Sequence, residues 1–255
     1  MSRRLAIVAW IALTAIMLSP GPAAAQRDEE ARWFLGFPNW TIELYGGLSN
    51  FGRFLLQSPT IVPLVSAQRE LTADNAFGFG GSIGATILPR TTVRLAFTHT
   101  STELDYEDDT GNGSDLFDIG DVADLSSNIL SIEAIRFLLP ERIRLVPYGG
   151  LGFALAWWSL DDEEERDLIS SGGDNTRLRL GGVGILGLQY RVSWHWRVRL
   201  EATTFGGGNP FSGEESFRPL TGFTIDEPTT VRQTLFRLAV AYTFGGPGRA
   251  RRGRR

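Results

Sequence analysis

Between residues 40 and 244 the chain repeatedly alternates apolar with polar or small residues at a period of two. The clearest run is 143–158. One face reads Ile143, Leu145, Pro147, Gly149, Leu151, Phe153, Leu155 and Trp157. The other reads Arg144, Val146, Tyr148, Gly150, Gly152, Ala154, Ala156 and Trp158. A helix would scatter these residues at a period of 3.6, and Pro147 with three nearby glycines would weaken it badly. The run is therefore a strand, long enough to cross a bilayer, which takes ~9–11 tilted residues. The same parity recurs in 40–49, 77–88, 91–101, 128–138, 177–191, 194–204 and 233–244. The links alternate as well. Tight turns fall at Pro89-Arg90, Pro140-Glu141-Arg142 and Val192-Ser193, and long connections span roughly 50–76, 102–127, 159–176 and 206–230. Short turns on one side and long loops on the other predict an all-β protein. Its architecture is an eight-stranded antiparallel up-and-down transmembrane β-barrel, with three short periplasmic turns and four long extracellular loops.

A soluble barrel also alternates, but it turns its apolar face inward. Here the polar or small face carries Glu43, Arg94, Glu133, Arg144, Arg179, Arg197, Arg199, Glu201 and Arg237 among glycines. That set suits a narrow interior in which charges pair, because an unpaired buried charge is very costly. Eight strands leave an interior that side chains just fill. The expectation is a salt-bridged plug in which Glu133 and Glu201 pair with inward arginines. An open, anion-preferring path is the alternative. The apolar face is bracketed by aromatics: Trp40, Tyr190, Trp194, Trp196, Tyr242 and Phe244 at the turn end, and Phe79, Phe153, Trp157 and Phe205 near the loop end. Girdles at both interfaces mark a lipid-facing wall.

The first residues place the chain in the envelope. Arg3 and Arg4 precede an apolar run, Pro20-Gly21-Pro22 ends it, and Ala23-Ala24-Ala25 offers a cleavage site, the three regions of a secretory signal peptide. The expected organisation is a cleaved signal over 1–25, a periplasmic segment over 26–38, the barrel over 39–245 and an Arg-rich periplasmic tail over 246–255. No folded peptidoglycan-binding domain is expected after the barrel. An exported chain with no cysteine is held by sheet and core rather than by disulfides. The formal net charge of −4 and the acid-rich connections exclude nucleic acid as a partner.

Three segments, "VPYGGLGFALAWW" (146–158), "WHWRVRLEATTF" (194–205) and "LFRLAVAYTF" (235–244), resemble strands of the small eight-stranded outer-membrane barrel superfamily, the OmpA/OmpX type. The first resembles that family's Pro-Tyr-x-x-x-Gly strand. The last resembles its C-terminal assembly signal, although here "GGPGRARRGRR" follows Phe244. The resemblance implies an integral, monomeric outer-membrane protein among outer-membrane lipids and lipopolysaccharide, delivered by the barrel assembly machinery. It implies no cofactor, and an extracellular ligand, if there is one, at the loops.

Candidate chemistry is sparse. His99, Ser101 and Glu103 share one strand face, so a hydroxyl activated for acyl transfer is conceivable. The lipid A deacylases, which this stretch faintly resembles, carry a lipid-facing His-x-Ser with an acid. The family's Asn after Ser is Thr102 here. The bland reading is an interfacial polar patch, and the chain is expected to be non-enzymatic. The stretch "DDTGNGSD" places Asp108, Asn112 and Asp115 in a glycine-containing acidic loop, but the twelfth position from Asp108 is Ile119, so the EF-hand pattern fails. A mobile, solvated loop is the expectation there. The run "FLLQSPTIVPLV" (54–65) is too apolar for a free loop and is expected at the barrel lip or in its mouth.

Overall fold

The computed structural model describes residues 39–52, 55–59, 69–88, 90–108, 121–139, 143–161, 176–193, 195–210, 223–226 and 229–244. The segments expected as signal peptide, periplasmic segment and tail, Trp194, and most of the acidic connections lie outside these residues. Eleven strands are present: β1 (Trp40–Phe51), β2 (Leu55–Pro59), β3 (Arg69–Ala73), β4 (Ala76–Leu88), β5 (Thr91–Asp108), β6 (Asp121–Phe137), β7 (Leu145–Asp161), β8 (Thr176–Arg191), β9 (Trp196–Gly208), β10 (Phe223–Asp226) and β11 (Thr230–Phe244). Eight of them, β1, β4, β5, β6, β7, β8, β9 and β11, pair antiparallel in that order, and β11 returns to β1 to close the barrel. The closing seam joins Trp40 to Phe244 and Phe51 to Gln233, so the two chain ends of the barrel lie side by side. Thr41 and Thr243 share a buried hydroxyl contact of 3.2 Å across it.

The three short strands are outward continuations of the wall. β2 pairs with β3 and β10 in the same neighbour relations that join β1 to β4 and β11. Ala73 pairs with Leu104 and Gly78 with Thr100, so five steps on one strand face four on the other; the β-bulge at Asp74–Asn75 absorbs the difference. The segment over 54–65 thus contributes a lip strand, Leu55–Pro59, with Pro59 at its end. Pairing also reaches further into the expected loops than the spacing implies. β5 and β6 remain in register as far as Leu104 and Ala123. β5, β6, β7 and β8, at 16 to 18 residues, exceed the ~9–11 that a bilayer requires, so they extend beyond it.

Parity decides which side is wet. In β11 the residues Val231, Gln233, Leu235, Arg237, Ala239 and Ala241 are buried inside, and Phe236, Leu238, Val240, Tyr242 and Phe244 are exposed outside. The outer wall displays Phe153 at 83 %, Leu180 at 77 % and Leu44 at 71 % exposure, with more than twenty other large apolar side chains. A contiguous apolar surface of that extent requires hydrocarbon around it. Trp40, Tyr190, Trp196, Tyr242 and Phe244 form its girdle at the turn end, where Trp196 and Tyr242 meet at 5.0 Å between ring centroids. At the loop end Phe97 and Trp157 lie 6.0 Å apart. Phe205 departs from the expected girdle. It faces inward at 3 % exposure, because β9 keeps strict parity from Arg197 through Glu201 to Phe205.

Candidate functional site: the barrel interior and its rims

Six charged side chains fill the middle of the barrel. Glu43 comes from β1, Arg94 from β5, Glu133 from β6, Arg199 and Glu201 from β9, and Arg237 from β11, and every one is at most 2 % exposed. Arg94 is the hub of the cations. It bonds Glu133 through Nε, Glu201 through Nη2 at 2.6 Å and Glu43 through Nη1 at 3.4 Å. Arg199 bonds the other oxygen of Glu43, and its Nε donates to Gln189 at 3.0 Å. Glu201 is the hub of the anions. It accepts from Arg94, from Arg237 Nε at 2.7 Å and Nη2, from the Tyr148 hydroxyl at 2.7 Å and from Thr203 at 2.8 Å. Ser131 donates to Glu133 at 2.6 Å. Three carboxylates thus face three guanidiniums, and the cluster is neutral. Arg237 also lies over the Tyr45 ring at 4.0 Å, and Arg199 lies 5.7 Å from both the Phe137 and Tyr148 rings. Arg199 and Arg237 are therefore both hydrogen-bonded and set against aromatic rings, and Arg94 is bonded to three carboxylates, which is how a buried ion network repays its desolvation.

Tyr148 fits because its neighbour on β8 is Gly187. A Cβ there would sit 2.5 Å from Cζ and 2.6 Å from the hydroxyl oxygen. Toward the loops a second polar layer crosses the barrel. Gln233 donates to Ser49 at 2.9 Å and to Thr100 at 3.2 Å, and accepts from Ser127 at 3.1 Å, tying β1, β5, β6 and β11 together. A cavity of ≈ 20 Å³ lies between the two layers, lined by Thr98, Ile129, Ser131, Val183 and Thr203, among others, with room for about one water. Phe51, Trp158, Phe205, Leu104, Leu125 and Val231 are buried toward the loop end. Trp158 meets Phe51 at 6.1 Å and Phe205 at 6.4 Å. The Phe205 ring lies against the backbone of Gly181 and Gly207, where any side chain would overlap it.

Three arginines of the expected network lie elsewhere. Arg144 is exposed one residue before β7, where the inward face has already opened at the turn. Arg179 is half-buried at the loop rim and donates to the carbonyls of Asn209 at 3.0 Å and Pro210 at 3.4 Å. Arg197 is buried at the turn end, one layer below Arg199. The arginine excess on the inward face therefore belongs to the rims and not to the central cluster. The Gln233 layer and the two tyrosines were not singled out from sequence, although their inward parity was the available signal.

On the outer wall, His99 Nδ1 bonds Asn128 Oδ1 at 2.8 Å and its ring packs 5.2 Å from Phe79. Ser101 and Glu103 follow on the same exposed face, but among the described residues no hydrogen bond joins either to His99. His195, at the turn end, stacks on Tyr242 at 5.6 Å. Among the described residues no group of three or more histidine or acidic side chains could hold a metal ion. Asn112 and Asp115 lie outside the described residues, as does the side-chain environment of Asp108.

No protein-family model and no curated protein matches the chain. Solved structures do. The outer membrane protein OprG from Pseudomonas aeruginosa superposes with a TM-score of 0.52 at 16 % identity, over 83 % of this chain and 99 % of that one. Neisserial surface protein A superposes at 0.46 with 14 % identity, over 80 % and 97 %. The N-terminal barrel domain of Pseudomonas aeruginosa OprF superposes at 0.43 with 15 % identity, over 82 % and 99 %. The chain has the fold of the small eight-stranded outer-membrane barrels. At this identity the likeness is one of fold alone.

Proposed function

We propose that this protein is an integral outer-membrane barrel that neither conducts nor catalyses. Its role is to reinforce the membrane and to present its acidic extracellular loops for surface contact. It acts as a monomer, surrounded by lipid and lipopolysaccharide and delivered by the barrel assembly machinery after loss of its signal peptide. The observation that carries the reading is the neutral six-membered ion cluster. Its members come from β1, β5, β6, β9 and β11 and meet across the lumen, which supports a sealed interior. The Gln233 layer and the buried aromatics above it support the same conclusion.

The test is single-channel conductance of the mature chain refolded into planar bilayers, with insertion verified by heat-dependent gel mobility. Silence with verified insertion is expected. Steady conductance steps would refute the sealed lumen and move transport to the front. A neutral cluster also removes the basis for anion preference, so steps selective for anions would contradict the geometry twice.

A further inference from the structure

The strand register fixes the height of every outward side chain, and on the loop side the edge of the apolar belt is not level. Paired residues lead round the wall from Trp157 on β7 through Asn128, His99 and Phe79, then across β1, β11, β9 and β8, to Pro147, again on β7. The circuit therefore returns to β7 ten residues nearer the turns than it began. That stagger is the shear of a closed barrel, and it amounts to about one and a quarter residues per strand. Once it is allowed for, the girdle at the turn end is level. Trp40, Tyr190, Trp196 and Phe244 all lie about eight to ten residues below His99.

The loop side is stepped. On six strands the outward face turns polar within about three residues of the His99 level, at Asn50, Asn75 just ahead of β4, His99, Asn128, Thr204 and Thr234. On β7 and β8 it stays apolar as far as Trp157 and Leu178, which pair with one another, and turns polar only at Ser159 and Thr176. Leu178 stands about four residues, or roughly 10 Å, above His99. It is 57 % exposed and Leu180 below it 77 %. The apolar belt thus averages about 25 Å on six strands, the ordinary height, and reaches about 35 Å on β7 and β8. Leaving such a ridge in water is costly, and hydrocarbon that rises to meet it removes that cost for a modest deformation of the bilayer. We infer that the outer face of β7 and β8 is a lipid-docking ridge that holds acyl chains of the loop-side leaflet about 10 Å above the hydrocarbon edge set by the other strands. The inference rests on the membrane reading above and adds a local contour to it. The occupant is the acyl chain of the surrounding bilayer, because the ridge continues without a break through Leu155, Phe153 and Leu186 into the lipid-facing wall. A second copy is disfavoured. The neighbouring outward faces of β5 and β6 carry Glu103 opposite Asp124, so a contact between copies would set acid against acid.

The chain has no cysteine, so a single introduced cysteine can carry a bimane label. Leu180→Cys, Ser101→Cys and Arg232→Cys all lie on the outer face at one height, about two residues above His99. Each mature variant is labelled and folded into dioleoylphosphatidylcholine vesicles, with insertion verified by heat-dependent gel mobility. Quenching by a nitroxide near the headgroup end of a lipid acyl chain is compared with quenching by aqueous iodide. The ratio of chain to iodide quenching should be at least about threefold higher at Leu180→Cys than at the other two positions. Adding Trp157→Ser/Leu178→Ser should bring it down to their value.

If Leu180→Cys does not fold, Leu178→Cys against Glu103→Cys makes the same comparison, since both lie about four residues above His99. Equal ratios at matched heights would overturn the inference. So would a high ratio at Leu180→Cys that survives the two serines. A label at Leu180→Cys shielded from both quenchers, with a crosslinked dimer on the gel, would overturn it too and give the ridge to a second copy. A chain that never inserts would overturn the membrane reading, and this inference with it, and gel mobility tells that case apart.

Discussion

Removing Glu201 is the most direct test of the interior. Its carboxylate receives Arg94, Arg237, Tyr148 and Thr203, and it is 2 % exposed. Glu201→Ala leaves three guanidiniums facing two carboxylates and strips two neutral donors of their acceptor. Breaking a buried pair from one side costs about 3–5 kcal/mol. The small adjoining cavity can admit about one water, which moderates the loss without replacing an anion. With a urea slope of about 2 kcal/mol/M, the unfolding midpoint should fall by about 2 M. The assay is equilibrium urea unfolding of the folded barrel, followed by tryptophan fluorescence and gel mobility. Glu201→Gln keeps the shape and removes the charge, so it should lose most of the same stability. Glu201→Gln/Arg237→Gln restores neutrality and should recover at least about 1 kcal/mol relative to the sum of the single variants. A midpoint shift below about 0.5 M for Glu201→Ala, or strict additivity in the double variant, would refute the claim that the cluster is held by charge balance.

Three further outcomes are expected. Phe153→Arg, on the most exposed aromatic of the wall and midway along β7, should cost about 2–4 kcal/mol in a bilayer, and a neutral effect in the same unfolding assay would mean that this face does not meet lipid. Gly181→Ala forces a methyl group into the Phe205 ring and the Gly206 carbonyl and should destabilise by about 1–3 kcal/mol. Phe205→Ala removes only the ring clash, so partial recovery in the double variant would locate the strain there, and wild-type stability of Gly181→Ala would argue against the packing described. Ser101→Ala should leave the lipid A mass profile of expressing cells unchanged, because His99 is bonded to Asn128 and not to Ser101. A changed profile would return acyl hydrolysis to consideration.

The wall was legible because its rule is local. A residue two places from Leu238 must face where Leu238 faces, so the alternation identified all eight barrel strands and the polar lumen. Parity says nothing about height along the axis. Arg144 and Arg179 share the inward parity of Arg94, yet they sit at opposite rims where a side chain reaches water or loop carbonyls. Phe205 was misread for a different reason. An aromatic near a strand end suits both a girdle and an interior seal, and only strict counting from Glu201 separates the two. The lip strands were hidden because β2, β3 and β10 are short and interrupted, and their partners are far away in sequence. Pro59 at the end of β2 obscured it further.

The seam between β1 and β11 has a consequence in time. Thr41 and Thr243 are 202 positions apart, and until they meet the barrel has two open edges. An open edge exposes unpaired backbone N–H and C=O groups, which hydrocarbon does not tolerate. The wall therefore cannot be laid into lipid strand by strand from the N-terminus and left to wait. Every neighbouring pair can form locally, but the last pairing must draw together the most distant residues in the chain, and loop closure of that length is slow. Folding and insertion become a single late event, decided when β11 finds β1. Until that moment the unfinished edges need shelter outside the hydrocarbon.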